Sequence, residues 1–99
     1  MLNLGNFDGS SCDAAVAGEL YRLATASPYS AVLNGRFKGG YITRHYGDPA
    51  NRLQAVQLEL AQRAYMDEAT LDIDAIHADR LRDTLRRLLG AYTRTAAVH

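Results

Sequence analysis

The sequence lacks several features that would assign it to a specialised class of protein. Its 99 residues include one cysteine, two prolines and no tryptophan. A single cysteine, Cys12, excludes an internal disulfide. The lack of a disulfide is typical of proteins in a reducing compartment, so we predict a cytoplasmic location. No apolar run approaches the roughly 18 residues that a membrane helix needs. The N-terminus also has no basic region followed by an apolar core, so neither a membrane span nor a signal peptide is expected.

An excess of charge of either sign is also missing. Eleven Lys and Arg residues balance eleven Asp and Glu residues, and the isoelectric point is about 6.8. Proteins that bind nucleic acid or anionic membranes usually carry a basic excess, so we expect neither as a partner. The hydrophobic fraction of 47% and the charged fraction of 22% are those of an ordinary folded domain. The length allows one small domain.

The chain contains no readable metal-binding motif. It has no HExxH and no pair of histidines at ligand spacing, although a catalytic zinc usually needs three protein ligands. Four cations instead flank the adjacent glycines Gly39 and Gly40 in the sequence, with His45 among them. These cations are Arg36, Lys38, Arg44 and Arg52. Such a loop suits a small molecule that carries a carboxylate. It does not have the spacing of a phosphate-binding loop.

Hydrophobic spacing predicts the order helix, strand, strand, strand, helix. Residues 1–9 have turn chemistry and are predicted to form a loop. Ser10 followed by Asp13 resembles a capping box that opens a helix from Cys12 to about Ala26. Short strands are predicted at 30–33, at 41–46 and within 53–61, the last because apolar residues alternate with Gln57 and Glu59. Residues 73–92 repeat apolar side chains at helical spacing and predict the last helix, capped by Asp72 or Asp74.

Two long stretches resemble a known enzyme family. GRFKGGYITRHYG at 35–47, followed by QLELAQR at 57–63, closely resembles the C-terminal part of the zinc-dependent N-formylglutamate deformylases, also called N-formylglutamate amidohydrolases. NLGNFDGSSCD at 3–13 is similar to another segment of that family, in the same order. The resemblance covers nearly all of this chain but only about the last third of a family member. It implies an α/β fold, part of a mixed-sheet sandwich of the zinc carboxypeptidase-like type, with two main helices and about three strands.

The resemblance also implies roles for particular residues. In related zinc hydrolases a late glutamate activates the metal-bound water, and QLELAQ places Glu59 in that role. By its residue type alone, Glu59 is more often a solvated glutamate on the exposed face of an edge strand or helix than a general base near a strand end, and the family resemblance reverses that preference. Arg44 is the first candidate to bind a substrate carboxylate, with Arg36 and Lys38 as alternatives. The remaining candidates for the substrate pocket are Asn34, His45 and Tyr46.

Zinc is implied by the family, whose metal ligands lie upstream of the matching segment, so none is assigned here. We therefore expect residues 1–99 to form a single incomplete α/β domain, the C-terminal third of a family member, inactive alone. By resemblance, the parent reaction hydrolyses N-formyl-L-glutamate to glutamate and formate in histidine degradation. The alternative is a non-catalytic module that binds an acidic small molecule or a partner chain. A slice of a larger α/β domain exposes faces that evolved to be covered, so we expect self-association or a complementing chain.

Overall fold

Three strands form a mixed sheet with the first strand at its centre. The computed structural model describes all of residues 1–99. Strand β1 (Leu2–Gly5) pairs in parallel with β2 (Ala31–Leu33) and antiparallel with β3 (Gln57–Leu60). A parallel pair needs a crossover connection, and helix α1 (Ala14–Ala26) supplies it. The predicted fold class, α/β with a mixed sheet and two main helices, is confirmed.

One face of the sheet carries the hydrophobic core. Leu2 and Leu4 of β1 are almost fully buried, and they pack with α1 and with the last helix, α3 (Ala75–Ala96). Leu58 and Leu60 of β3 add to the same cluster. Because side chains alternate along a strand, Asn3 and Glu59 project from the opposite face, where no long helix lies. That face is the one available for a site.

Helix α3 forms as its periodicity predicts. Asp74 is its N-cap and accepts a hydrogen bond from the His77 backbone N–H at 3.1 Å. The buried stripe includes Leu81 and Leu88, while Asp83 and Arg87 form an exposed pair at 3.3 Å on the other side. Ile73 lies before the helix, in a two-stranded ribbon made of β4 (Met66–Asp67) and β5 (Asp72–Ile73). No helix of the chain has the length and apolar character of a membrane span.

Helix α1 starts later than the capping box predicts. Its N-cap is Asp13, whose carboxylate accepts from the Ala15 N–H at 2.8 Å. The Ser10 hydroxyl donates instead to the Phe7 carbonyl, within a tight turn where Phe7, Asp8 and Gly9 all have positive φ. Cys12 lies just before the helix and is 1% exposed. Burial raises the pKa of its thiol, so Cys12 is a packed apolar side chain, as expected.

Two short elements differ from their predictions. Residues 2–5 were predicted as part of a loop but form β1, because pairing with strands on both sides outweighs the low strand preference of asparagine and glycine. Residues 41–46 were predicted as a strand but form helix α2 (Tyr41–Tyr46). A six-residue helix is unstable by itself, and here the Thr43 side chain is 2% exposed and bonds back to the Gly40 carbonyl. The strand predicted at 41–46 is therefore wrong.

Candidate functional site

Glu59 lies on the sheet face opposite the helices. It is directly paired with Asn3 of β1, in the register Leu2–Leu60, Asn3–Glu59 and Leu4–Leu58. Its side chain is half-buried, and one carboxylate oxygen, Oε1, accepts a hydrogen bond from the Gln57 side-chain Nε2. The predicted strand and the predicted facing of Gln57 and Glu59 are thus confirmed, with the strand shortened to Gln57–Leu60.

The loop 34–40 crosses this face and is tied to the sheet through Asn3. The Asn3 amide donates to the Phe37 carbonyl at 2.5 Å and accepts from the Phe37 N–H at 3.4 Å. Asn3 is 7% exposed, so its amide is a buried anchor for the middle of the loop. The Phe7 N–H also donates to the Lys38 carbonyl, at 2.7 Å.

The two glycines of the loop allow the chain to pack closely against itself. Gly39 has φ +117°, and a Cβ there would lie 2.2 Å from Thr43 Oγ1. The Gly40 N–H donates to Gln57 Oε1 at 2.9 Å. Gly5, at the end of β1, is equally constrained, because a Cβ would lie 2.7 Å from the Lys38 carbonyl carbon. At Gly39, the space of the missing side chain is occupied by this protein's own Thr43.

Asn34 begins the loop in a left-handed conformation, with φ +53°. Its Oδ1 accepts from the Asn6 N–H at 3.0 Å, and its Nδ2 donates to Asn6 Oδ1. Short amide side chains tolerate this conformation better than most residues do. Both polar groups of the Asn34 side chain therefore hold the end of β1 against the start of the loop.

The three candidate cations lie in different surroundings. Arg36 and Glu59 line the same cavity, of about 350 Å³, together with Asn3 and Phe37. Lys38 is exposed and forms an ion pair with Asp8 at 3.1 Å. The Arg44 guanidinium lies over the Phe7 ring, 5.7 Å from its centroid, on the exposed side of α2. Arg36 is thus the candidate cation that shares a cavity with Glu59.

His45 and Tyr46 belong to an exposed aromatic group on α2. The His45 ring stacks on Tyr41 with centroids 4.8 Å apart and meets the Tyr46 ring edge-on at 4.7 Å. Tyr46 also lines an apolar groove of about 460 Å³ on the helix-covered side, with Ile42, Leu89 and Tyr92. Glu59 lines the cavity of about 350 Å³ and a second one beside α3, and neither His45 nor Tyr46 lines either of them.

The donors present do not fit a zinc site. No group of three His, Cys, Asp or Glu side chains is arranged to hold a metal ion. The histidines lie on separate parts of the fold, where His77 bonds Asp74 at the start of α3 and His99 lies 3.9 Å from Asp13. A catalytic zinc usually needs three protein ligands, so residues 1–99 alone do not supply a zinc site.

Comparison with known proteins assigns this chain to one family. The family model of N-formylglutamate amidohydrolases matches residues 1–66, which include the loop, α2 and the whole of β3. This chain belongs to the N-formylglutamate amidohydrolase family. The resemblance found in the motifs is thereby confirmed.

Individual relatives support this assignment to the amidohydrolase family. An N-formylglutamate deformylase of Pseudomonas putida is 64% identical over 67 residues, which are 67% of this chain and 25% of that protein. One from Pseudomonas aeruginosa is 55% identical over 89 residues, 88% of this chain and 34% of that protein. The crystal structure of N-formylglutamate amidohydrolase from Ralstonia eutropha JMP134 superposes with a TM-score of 0.78 at 27% identity. It matches 98% of this chain and 33% of its own length. This chain therefore spans a quarter to a third of its curated relatives.

Sequence reasoning missed two residues of this candidate site. Gln57 was assigned to the face of Glu59, but its contact with the glycine loop was not predicted. Asn3 was assigned to a loop and given no role. The alternation of Leu2, Asn3, Leu4 and Gly5 is the signal that predicts a strand with Asn3 on the polar face. The pairing of Asn3 with Glu59 depends on strand register, which no local pattern in either segment specifies.

Proposed function

We propose that this chain forms the part of an N-formylglutamate deformylase that carries the general base and binds the substrate carboxylate. The two Pseudomonas relatives bear that name. The observation that carries the proposal is that Glu59 and Arg36 line one cavity on the open face of the sheet. A carboxylate and a guanidinium in one cavity suit the hydrolysis of an amide substrate that itself carries a carboxylate. The whole reaction is assigned to a longer protein or to an assembly with a second chain.

In this proposal, Glu59 accepts a proton from the attacking water as the water oxygen bonds to the formyl carbon. Glu59 then returns the proton to the amide nitrogen as the carbon–nitrogen bond breaks. The products are formate and glutamate, so atoms and protons balance. An arginine guanidinium forms two parallel hydrogen bonds with a substrate carboxylate, whereas a lysine ammonium binds it as a point charge. Arg36 is the first choice because it shares the cavity, with Arg44 and Lys38 as the other candidates.

Zinc, which the family resemblance implies, is proposed to take its ligands from outside residues 1–99, since no ligand group is arranged within them. Asn34 is proposed to act by shaping the loop beside the pocket. His45 and Tyr46 lie on α2 outside this cavity, so they are proposed to reach the substrate only in the assembled protein. We further propose that the isolated chain is inactive, that it acts in the cytoplasm, and that its substrate comes from histidine degradation. Its exposed apolar side chains, among them Ile42 and Leu89, favour association with another chain.

The test is a deformylase assay with N-formyl-L-glutamate and added zinc. The purified chain is assayed alone and then mixed with the N-terminal part of the Pseudomonas aeruginosa relative. We expect activity in the mixture only, and a loss of about a hundredfold or more in Glu59→Gln. Glu68→Gln is the matched control, because Glu68 is an exposed glutamate whose side chain accepts from the Arg63 backbone N–H.

Three outcomes would contradict the proposal. An assembled mixture of folded chains without activity would favour a non-catalytic module that binds an acidic small molecule or a partner chain. Full activity in Glu59→Gln would remove Glu59 from the chemistry. Activity of the chain alone would mean that residues 1–99 suffice for the reaction.

A further inference from the structure

Gln57 bridges the strand that carries Glu59 and the glycine loop. It lies two residues before Glu59, so both side chains project from the same face of β3. The Gln57 side chain donates from Nε2 to Glu59 Oε1 and accepts at Oε1 from the Gly40 backbone N–H, with a nitrogen–oxygen distance of 2.9 Å. One amide group therefore contacts both parts of the candidate site.

The chemistry of the two neighbours permits only one orientation of this amide. A carboxylate can only accept hydrogen bonds, and a backbone N–H can only donate. If the Gln57 amide were turned by 180°, its oxygen would face the Glu59 carboxylate and its NH₂ group would face the Gly40 N–H. Both hydrogen bonds would then be lost. The Gln57 side chain is therefore held with its NH₂ group toward Glu59.

The loop end of the bridge is itself held in place. The Thr43 hydroxyl donates to the Gly40 carbonyl at 2.9 Å, and Thr43 is 2% exposed. Gly39 fits directly against this threonine. Because Gly40 cannot easily move, Gln57 has a fixed partner, and its contact with Glu59 restricts the positions that the carboxylate can take.

We propose that Gln57 is a positioning residue for Glu59. It occupies one oxygen of the carboxylate, Oε1, and leaves the second oxygen, which makes no hydrogen bond within the chain, for the attacking water. This inference rests on the proposed role of Glu59 as the base. It extends that role by assigning the orientation of the base to a side chain that does not itself touch the substrate.

The contact itself is tested by NMR on the chain as it is, without any activity. We expect the side-chain amide protons of Gln57 to change their chemical shift as acid neutralises carboxylates, and Glu59→Gln to abolish that change. We expect Gln57→Met to speed hydrogen exchange at the Gly40 N–H by about fivefold, the factor that corresponds to a lost hydrogen bond of about 1 kcal/mol. Gln57→Glu keeps an acceptor for Gly40 and should leave that exchange unchanged. A Gln57 amide indifferent to acid and to Glu59→Gln overturns the proposal.

The positioning role is tested in the assembled mixture with the Pseudomonas aeruginosa segment. We expect Gln57→Met and Gln57→Glu to lower kcat by about ten- to a hundredfold with little change in KM, because a misplaced base slows the chemistry. Gln62→Met, at an exposed glutamine just after β3, is the control and should leave both constants unchanged.

Failure of the Gln57 inference can be distinguished from failure of the proposed function. If Glu59→Gln abolishes activity while both Gln57 variants keep the full kcat, this inference is wrong and the proposed function stands. If Glu59→Gln is fully active, the proposed function fails, and the positioning role fails with it. If the Gln57 variants raise KM alone, Gln57 serves substrate binding and the inference is again overturned.

Discussion

Asn3 and Glu59 are directly paired residues on neighbouring strands, and Asn3 also holds the backbone of Phe37. The same buried asparagine thus lies beside the candidate base and fixes the loop that carries Arg36. The distance between Glu59 and Arg36 therefore depends on Asn3, which lines the same cavity as both. Gln57 makes a second connection of this kind, to Gly40.

Replacing Asn3 is expected to destabilise the fold and to loosen the loop. Asn3→Ala removes both hydrogen bonds to Phe37 from a buried position. We expect the free energy of unfolding in urea to fall by about 1–3 kcal/mol. Asn51→Ala, at an exposed asparagine, is the control and should change it by less than about 0.5 kcal/mol. Equal effects of the two variants would contradict the anchoring role of Asn3.

Alanine at two different glycines should have opposite effects on stability. Gly39→Ala places a Cβ 2.2 Å from Thr43 Oγ1 at φ +117°, and we expect a loss of about 1–3 kcal/mol. Gly18→Ala lies inside α1, where a Cβ meets no atom within 4 Å, and should stabilise the chain by about 0.5–1 kcal/mol. Thermal unfolding of the two variants measures both changes in stability. A Gly39→Ala variant as stable as the parent chain would contradict the strained geometry.

Arg36 and Arg44 can be separated as ligands of the substrate carboxylate. Arg36 shares the cavity with Glu59, whereas Arg44 lies over Phe7. In the assembled mixture we expect Arg36→Gln to raise KM for N-formylglutamate by about tenfold or more, as the loss of a charged hydrogen bond implies. Arg44→Gln is the matched variant and should change KM by less than about twofold. The reverse order would assign the carboxylate to Arg44.

The N-cap of α3 makes the stability of the chain depend on pH. The backbone N–H and the ring of His77 lower the pKa of Asp74 below its ordinary value. A carboxyl group whose pKa is lower in the folded chain stabilises the fold above its unfolded pKa of about 3.9, and loses that effect as pH falls through the folded pKa. We therefore expect the melting temperature to drop below about pH 4.

Asp74→Asn is the variant that isolates this charge, because asparagine still caps a helix but does not titrate. Its melting temperature should fall less steeply in the same acid range than that of the parent chain. Asp72→Asn, at the exposed aspartate before the helix, should follow the parent curve. If all three curves run parallel, Asp74 does not couple folding to pH.

Much of the fold could be predicted from local patterns. The apolar spacing of residues 73–92 predicted a long helix, and Ala75–Ala96 forms one because several turns of consistent periodicity leave little choice. Alternation correctly placed Gln57 and Glu59 on one face of β3. The motifs 35–47 and 57–63 also sufficed to predict the family, which the matched relatives confirm.

Local sequence patterns were enough to predict the long helices, the facing of β3 and the family. The three-dimensional fold was needed to show that 2–5 is the central strand, that 41–46 is a helix, and that Arg36 shares a cavity with Glu59. Segments of four to six residues gain little free energy from their own hydrogen bonds, so the surrounding contacts select their conformation. Side chains distant in sequence, such as Asn3 and Glu59, meet only through strand register, and that register is set when the leucines of both strands are buried together.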